Sequence, residues 1–237
     1  MTNSNILYQH GTLALLVPGL LEGTLSMQEL LQHGDTGIGT GEGLDGELII
    51  LDGTPYQVDS KGNVNVVDGS FTLPFANSHF AAYNPLTTVE DVKREELKDI
   101  VAKKVQSANT FYSIKVKGTF KNITTRAVQK STEPYATLAK TAENQSIFTR
   151  KSVEGTLLSY YSPQIFDGAA VGGFHSHFMS DEHDFGGHIL DFASVTGEVT
   201  FQQFDSLEQH LPVDNPAYMT HDFSNDDVLG EIHKAES

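Results

Sequence analysis

Three histidines carry the chemistry most open to reading in this sequence. His175 and His177 sit at i, i+2 in the stretch GGFHSHFMSDEHDFGGHILD. On a strand, that spacing puts both imidazoles on one face. Ten residues intervene before His188, which follows a Gly-Gly pair and opens another apolar strand. If the two strands form a hairpin, His188 returns beside the first two. Three converging imidazoles that leave a coordination position open have the build of a catalytic zinc site. The bland alternative is that His175 and His177 are surface or half-buried strand residues. His183, among Asp181, Glu182 and Asp184 at the loop tip, is not read as a ligand.

Composition narrows the chemistry further. The chain has 237 residues and no cysteine, so disulfides, thiolate catalysis and Cys-type zinc sites are excluded. Any transition-metal site must draw on the ten histidines with Asp or Glu. Fifteen basic against 31 acidic residues give a net charge of −16. Such a surface repels phosphate backbones and anionic membranes, which argues against nucleic acid and lipid as partners. No apolar run approaches the length that spans a bilayer, and the N-terminus lacks the basic start of a secretory signal. The expectation is a cytoplasmic protein. No G-x-S-x-G elbow is present, so nucleophilic hydrolase readings have little to stand on.

Two further side chains stand out. Glu47 leads into the apolar run Leu48–Leu51, which places it either at the solvent end of a strand or in a functional cleft. Arg126 lies in an alternating segment, NITTRAVQ. It is either a clamp for a carboxylate or an ordinary exposed edge-strand arginine. The segment from Gly34 to Glu47, GDTGIGTGEGLDGE, reads as a glycine-rich loop. It lacks the Gly-Lys-Ser/Thr ending of a P-loop, and a strand rather than a helix follows it, so a dinucleotide fingerprint is rejected. Backbone that approaches a ligand closely is the better reading.

The elements that must position these groups are mostly strands. Residues 6–17 read as a short strand. Ser26 and Glu29 form a capping box before a short helix from Met27 to about Gln32. Asp52-Gly53 marks a hairpin, and GNVNVV continues the strand pattern. Residues 88–107 form the clearest helix, from the recurrence of Val89, Val92, Leu97, Ile100, Val101 and Val105. FYSIKVKGTFKNITTRAVQ alternates as one or two strands, and SVEGTLLSYYSPQIF opens the next sheet region. Three more strands follow through GEVTFQQF, and a short amphipathic helix ends an acidic tail.

Taken in order, these stretches resemble the alpha-acetolactate decarboxylase family. The resemblance covers nearly the whole chain: Y8-x-x-G11-T12, T36-G37-I38-G39-T40, L44-D45-G46-E47 through G53, G118-T119-F120 with T125-R126, G155-T156-L157 and Pro163. It is densest at G173-F174-H175-S176-H177-F178 and G186-G187-H188-I189-L190-D191. It implies a zinc enzyme that converts 2-acetolactate to (R)-acetoin and carbon dioxide without an organic cofactor. It implies that His175, His177 and His188 hold the zinc, and that Glu47, Arg126 and Thr40 line the active site. A glutamate near the C-terminus also reaches the site in this family, here Glu236 or Glu231, with Glu236 preferred. The chemistry fits these types. Losing carbon dioxide from a β-keto acid sends electrons into the ketone, and a zinc chelated by the ketone and hydroxyl oxygens is the Lewis acid for the resulting enediolate. Arg126 can hold the carboxylate or the developing anion, and Glu47 is the expected proton donor.

The fold expectation is α+β in two sheet-centred lobes: a mixed-sheet lobe over residues 1–110, and a metal-binding, small β-barrel-like lobe over 111–237. The two-lobe form and a homodimer are implied by the resemblance. The competing function is a cupin-like metal- or sugar-binding module that uses the same histidines without turnover. Such a module does not need Glu47, Arg126 and Thr40 to converge on the metal.

Overall fold

A computed structural model describes residues 5–236. The first half runs β1 (Ile6–His10), α1 (Leu13–Leu16), β2 (Leu25–Ser26), α2 (Met27–Leu30), β3 (Thr36–Thr40), β4 (Glu47–Leu51), β5 (Thr54–Val58), β6 (Val64–Val66), β7 (Thr72–Leu73) and β8 (Phe75–His79). The second half runs β9 (Asn84–Val92), α3 (Arg94–Val105), β10 (Tyr112–Val128), α4 (Leu138–Ala142), β11 (Gln145–Ser162), β12 (Gly173–Ser180), β13 (Gly186–Asp191), β14 (Ser194–Gln203), β15 (Ser206–His210), α5 (Pro216–Thr220) and α6 (Val228–Glu236).

Two sheets dominate this α+β chain. The first has the order β15-β1-β8-β3-β4-β5-β6, the second β11-β12-β13-β10-β14-β9, with β10 and β11 also paired directly. The sheets exchange strands. β9 joins the second sheet from before residue 110, and β15 joins the first from the C-terminal half. Each lobe thus takes a strand from across the expected boundary between 110 and 111. A shared apolar layer of Ile38, Ile49, Val58, Ala127, Leu158 and Met179 ties them together. Among the described residues, no helix is long and apolar enough to cross a membrane.

Local chemistry explains several elements. Asp52 and Gly53 both have positive φ, 49° and 77°, the backbone of a two-residue hairpin turn between β4 and β5. Ser26 Oγ accepts from the Glu29 N–H, and the Glu29 carboxylate accepts from the Ser26 N–H, which closes the capping box of α2.

Three readings are corrected. Residues 6–17 are not one strand: β1 ends at His10, Gly11 turns at φ 68°, and Leu13–Leu16 form a helical turn. Its first free N–H groups, on Leu13 and Ala14, donate to the carbonyls of Ala169 and Gly168. The glycine-rich segment is not all loop, because Thr36–Thr40 is an interior strand between β8 and β4. The bare α-carbon of Gly39 lets β8 come close: a Cβ would stand 2.5 Å from the Phe75 carbonyl oxygen. The helix expected over 88–107 begins only at Arg94. Thr87, Thr88, Val89 and Val92 are β-branched and suit the edge strand that pairs with β14. The Glu96 carboxylate accepts the Lys93 N–H, which fixes the helix start.

Candidate metal centre

β12 and β13 form the expected antiparallel hairpin, with His177 directly opposite His188. His175, two residues earlier, shares their face. The three rings form a near-equilateral set, with centroids 5.1, 5.1 and 5.5 Å apart. Each offers one nitrogen, and these nitrogens all lie within 4.8 Å of one another. Among the described residues this is the one group of three or more His, Cys, Asp or Glu drawn together this closely.

The surroundings prepare the rings as ligands. The Leu48 carbonyl of β4 stands 2.7 Å from His177 Nδ1. A carbonyl only accepts, so Nδ1 carries the hydrogen and Nε2 keeps its lone pair for the centre. Burial pushes the His175 imidazole down to about 3, and the Arg126 charge adds to the effect. His188 is held well below the ordinary range, first by burial, then by Arg126 and the two other imidazoles. Both rings are therefore neutral at physiological pH, the state a metal ligand needs. Three imidazoles carried on strands, one with its Nδ1–H fixed by a backbone carbonyl, fit a borderline-soft divalent cation such as zinc.

The other sequence candidates arrive from two directions. Arg126 lies opposite His188 in the β10–β13 pairing and is buried at 5% exposure on an interior strand. That removes the exposed edge-strand reading. Thr40 and Glu47 lie opposite each other where β3 pairs with β4 in the first sheet. Residues so placed share a face. Glu47 is buried at 8% exposure, with Oε2 3.3 Å from His177 Nε2, so it lies in the cleft rather than at a solvent end. The Thr40 hydroxyl donates to the Gly46 carbonyl at 2.9 Å. All six residues line one cavity of about 50 Å³, which is small.

Of the two C-terminal candidates, only Glu231 has a described side chain, and it is not brought in. The side chain of Glu236 lies outside the described residues. Glu231 lines a different, open groove beside Lys140 and Asp227. His183 is exposed and stacks on Tyr56, away from the triad.

Two parts of the site were missed from the sequence. One is the apolar wall of Leu13, Leu16, Leu44, Phe75, Val128 and Leu138 that encloses the same cavity. Its first two members sit on α1, which had been read as strand. The other is the Leu48 carbonyl, a backbone group that no side-chain pattern announces.

The family model for alpha-acetolactate decarboxylase matches residues 7–225. A relative from Streptococcus thermophilus named alpha-acetolactate decarboxylase is 37% identical over the full length of both chains. One of the same name from Lactococcus lactis subsp. cremoris is 34% identical, again over both full lengths. The crystal structure of alpha-acetolactate decarboxylase from Bacillus subtilis strain 168 superposes with a TM-score of 0.91 at 31% identity. That match covers 98% of this chain and 99% of the other. A Staphylococcus aureus structure described as similar to alpha-acetolactate decarboxylase gives a TM-score of 0.92 at 35% identity, covering 98% and 100% of the two chains.

Proposed function

Because this chain belongs to the alpha-acetolactate decarboxylase family and is a carboxy-lyase acting on acetolactate, we propose that it works through zinc held by His175, His177 and His188 and releases (R)-acetoin. One observation carries the proposal: Glu47, Arg126 and Thr40 line the same cavity as the three imidazoles. When bound, the divalent cation supplies Lewis-acid stabilisation of the charge that leaving carbon dioxide deposits on the ketone oxygen.

The chain's own residues do the rest. In the substrate, the bond from C2 to the carboxylate carbon breaks, and its electron pair moves toward the ketone. Arg126 is fixed in the wall by its strand and neutralises first the carboxylate and then the developing anion. A preorganised donor of this kind contributes on the order of 3 kcal/mol. Thr40 is anchored through its hydroxyl hydrogen, so it offers the substrate a lone pair, an acceptor for a substrate hydroxyl. Glu47 delivers the proton that C2 must regain. It comes from the first-sheet side, and delivery from one side gives a single stereoisomer. The apolar wall takes the methyl groups and keeps water away from the electron-rich carbon.

The cupin-like binding module finds no support among the relatives, and it leaves the buried Arg126 and Glu47 beside the triad without a task. A homodimer belongs to the same proposal and rests on the resemblance, and a cytoplasmic location rests on the sequence pattern; light scattering of the purified protein tests its oligomeric state. The main test is direct: purified protein, racemic 2-acetolactate, and acetoin measured with and without a chelator. Chelator-sensitive acetoin above the spontaneous rate is expected. No acetoin from a zinc-replete sample would overturn the proposal.

A further inference from the structure

A second cavity, about 520 Å³, lies outside the metal centre. Its floor is apolar, with Leu15 and Leu21 fully buried and Leu20 and Pro212 beside them. Two aromatic rings, Tyr135 and Tyr218, stand in its wall, and Glu22 and Glu133 lie at its exposed rim. Among the described residues, no lysine, arginine or histidine lines it. A volume of this size suits a small organic molecule. The lining decides which kind: an apolar body for the floor, and a positive charge for the rim. A cation beside a tyrosine face gains further from the ring quadrupole. The Tyr135 hydroxyl agrees with this polarity. Burial pushes it up to about 12, and Glu42, Glu133 and Glu22 press it the same way, so it stays protonated and donates to Glu42.

The two cavities share their walls. Leu15 of α1 faces the larger one, while Leu13 and Leu16 of the same turn face the metal cavity. Glu133–Tyr135 line the larger cavity, and Val128 and Leu138, at either end of that connection, line the smaller. Backbone hydrogen bonds stitch these walls together: Leu138 N–H to the Val17 carbonyl, Gly43 N–H to Leu21, and Ser131 N–H to Gly43. Gly19, at φ 90°, presses against the Ala136 carbonyl so closely that a Cβ would stand 2.8 Å from it. A molecule seated in the larger cavity cannot shift α1 or residues 131–138 without reshaping the apolar wall over the substrate.

We propose that this cavity is a binding site for a small organic cation with an apolar body, a primary or substituted amine, and that its occupancy is transmitted to the metal cavity through α1 and residues 131–138. The inference rests on the decarboxylase reading only for its second half. Calorimetric titration of the intact protein with 3-methylbutylammonium chloride tests the first half, with 3-methylbutan-1-ol as the uncharged control. Saturable binding of the ammonium ion is expected, at least tenfold tighter than the alcohol. Glu133→Gln and Tyr135→Leu should each weaken it several-fold. Glu133 is exposed, so its variant tests the site without disturbing the core. No binding to the wild type, equal affinity for the alcohol, or unchanged affinity in both variants would overturn the site. For the second half, saturating ammonium should change KM for acetolactate in the wild type, and the change should shrink in Glu133→Gln. Binding with an unaltered KM and kcat would overturn the coupling while leaving the decarboxylase reading intact.

Discussion

At the scale of single residues, the proposed site divides into groups that would hold a metal and groups that would handle the substrate, and the two kinds should fail differently. His175→Ala should lose both metal content and acetoin formation, read by elemental analysis beside the activity assay. A variant that retained one metal per chain and full turnover would remove His175 from the ligand set. Glu47→Gln keeps the shape of the side chain and removes its proton. It should retain metal and lose about 100-fold or more in kcat, the range for a missing general acid. Near-wild-type turnover would assign the proton to another group. The three histidines were legible because i, i+2 spacing and a Gly-Gly hairpin fix a shared face from sequence alone. The pattern left Glu47 and Arg126 open for a physical reason. Alternation says which residues share a face, but not which sheet that face meets. Only the packing of β4 across the hairpin, with the Leu48 carbonyl on His177 Nδ1, settles it. The apolar wall was illegible because its members come from five separate segments.

At the scale of elements, the backbone at the start of β13 is as constrained as the histidine it carries. Gly187 has φ 121°, and a Cβ there would stand 2.5 Å from the Arg126 carbonyl oxygen. Thr125 Oγ1 donates to the neighbouring Gly186 carbonyl at 2.7 Å and clamps β13 against β10. Gly187→Ala should therefore cost about 1–3 kcal/mol of stability, seen as a lower melting temperature. Because His188 is the next residue, the variant should also bind metal more weakly in a competition assay. An unchanged melting temperature would show that β13 can move without strain. The misread stretch 88–93 teaches at the same scale. Val89 and Val92 happen to continue the helical spacing of α3. Their β-branched neighbours and the open edge of β14 decide for strand, and an edge that needs a partner is invisible to a one-dimensional pattern.

At the scale of the whole molecule, buried neutral histidines set an acid limit on stability. His79 is pushed down to about 3 by burial, with Lys115 adding, and His10 to about 4 by burial, with His210 adding. In the unfolded chain both return to about 6.5. Between those values the unfolded state binds more protons, so stability is full above pH 6.5 and falls as the pH drops toward 4 and 3. By pH 5 each contributes a loss of roughly 2 kcal/mol. Urea unfolding midpoints measured from pH 7.5 to 5 should fall accordingly. A flat profile would mean that these rings become protonated without unfolding. In metal-free protein the low values of His175 and His188 act in the same direction.

The parallel pairing of β1 with β15 reaches furthest. It joins Ile6 to Ser206, and the buried Gln9 amide bonds to Ala169 and Gln209, partners 160 and 200 residues away. On a ribosome, β1 must wait for the 200 residues between Ile6 and Ser206 to be made before this pairing can form. At roughly 5–20 residues per second, the delay is about 10–40 s. During that interval one edge of β1 is an unfilled template with a polar amide beside it, open to proteases and to strands of neighbouring nascent chains. Completion of the first sheet is thus tied to the synthesis of β15, and a chain stalled before residue 206 would carry that open edge for as long as it stayed on the ribosome.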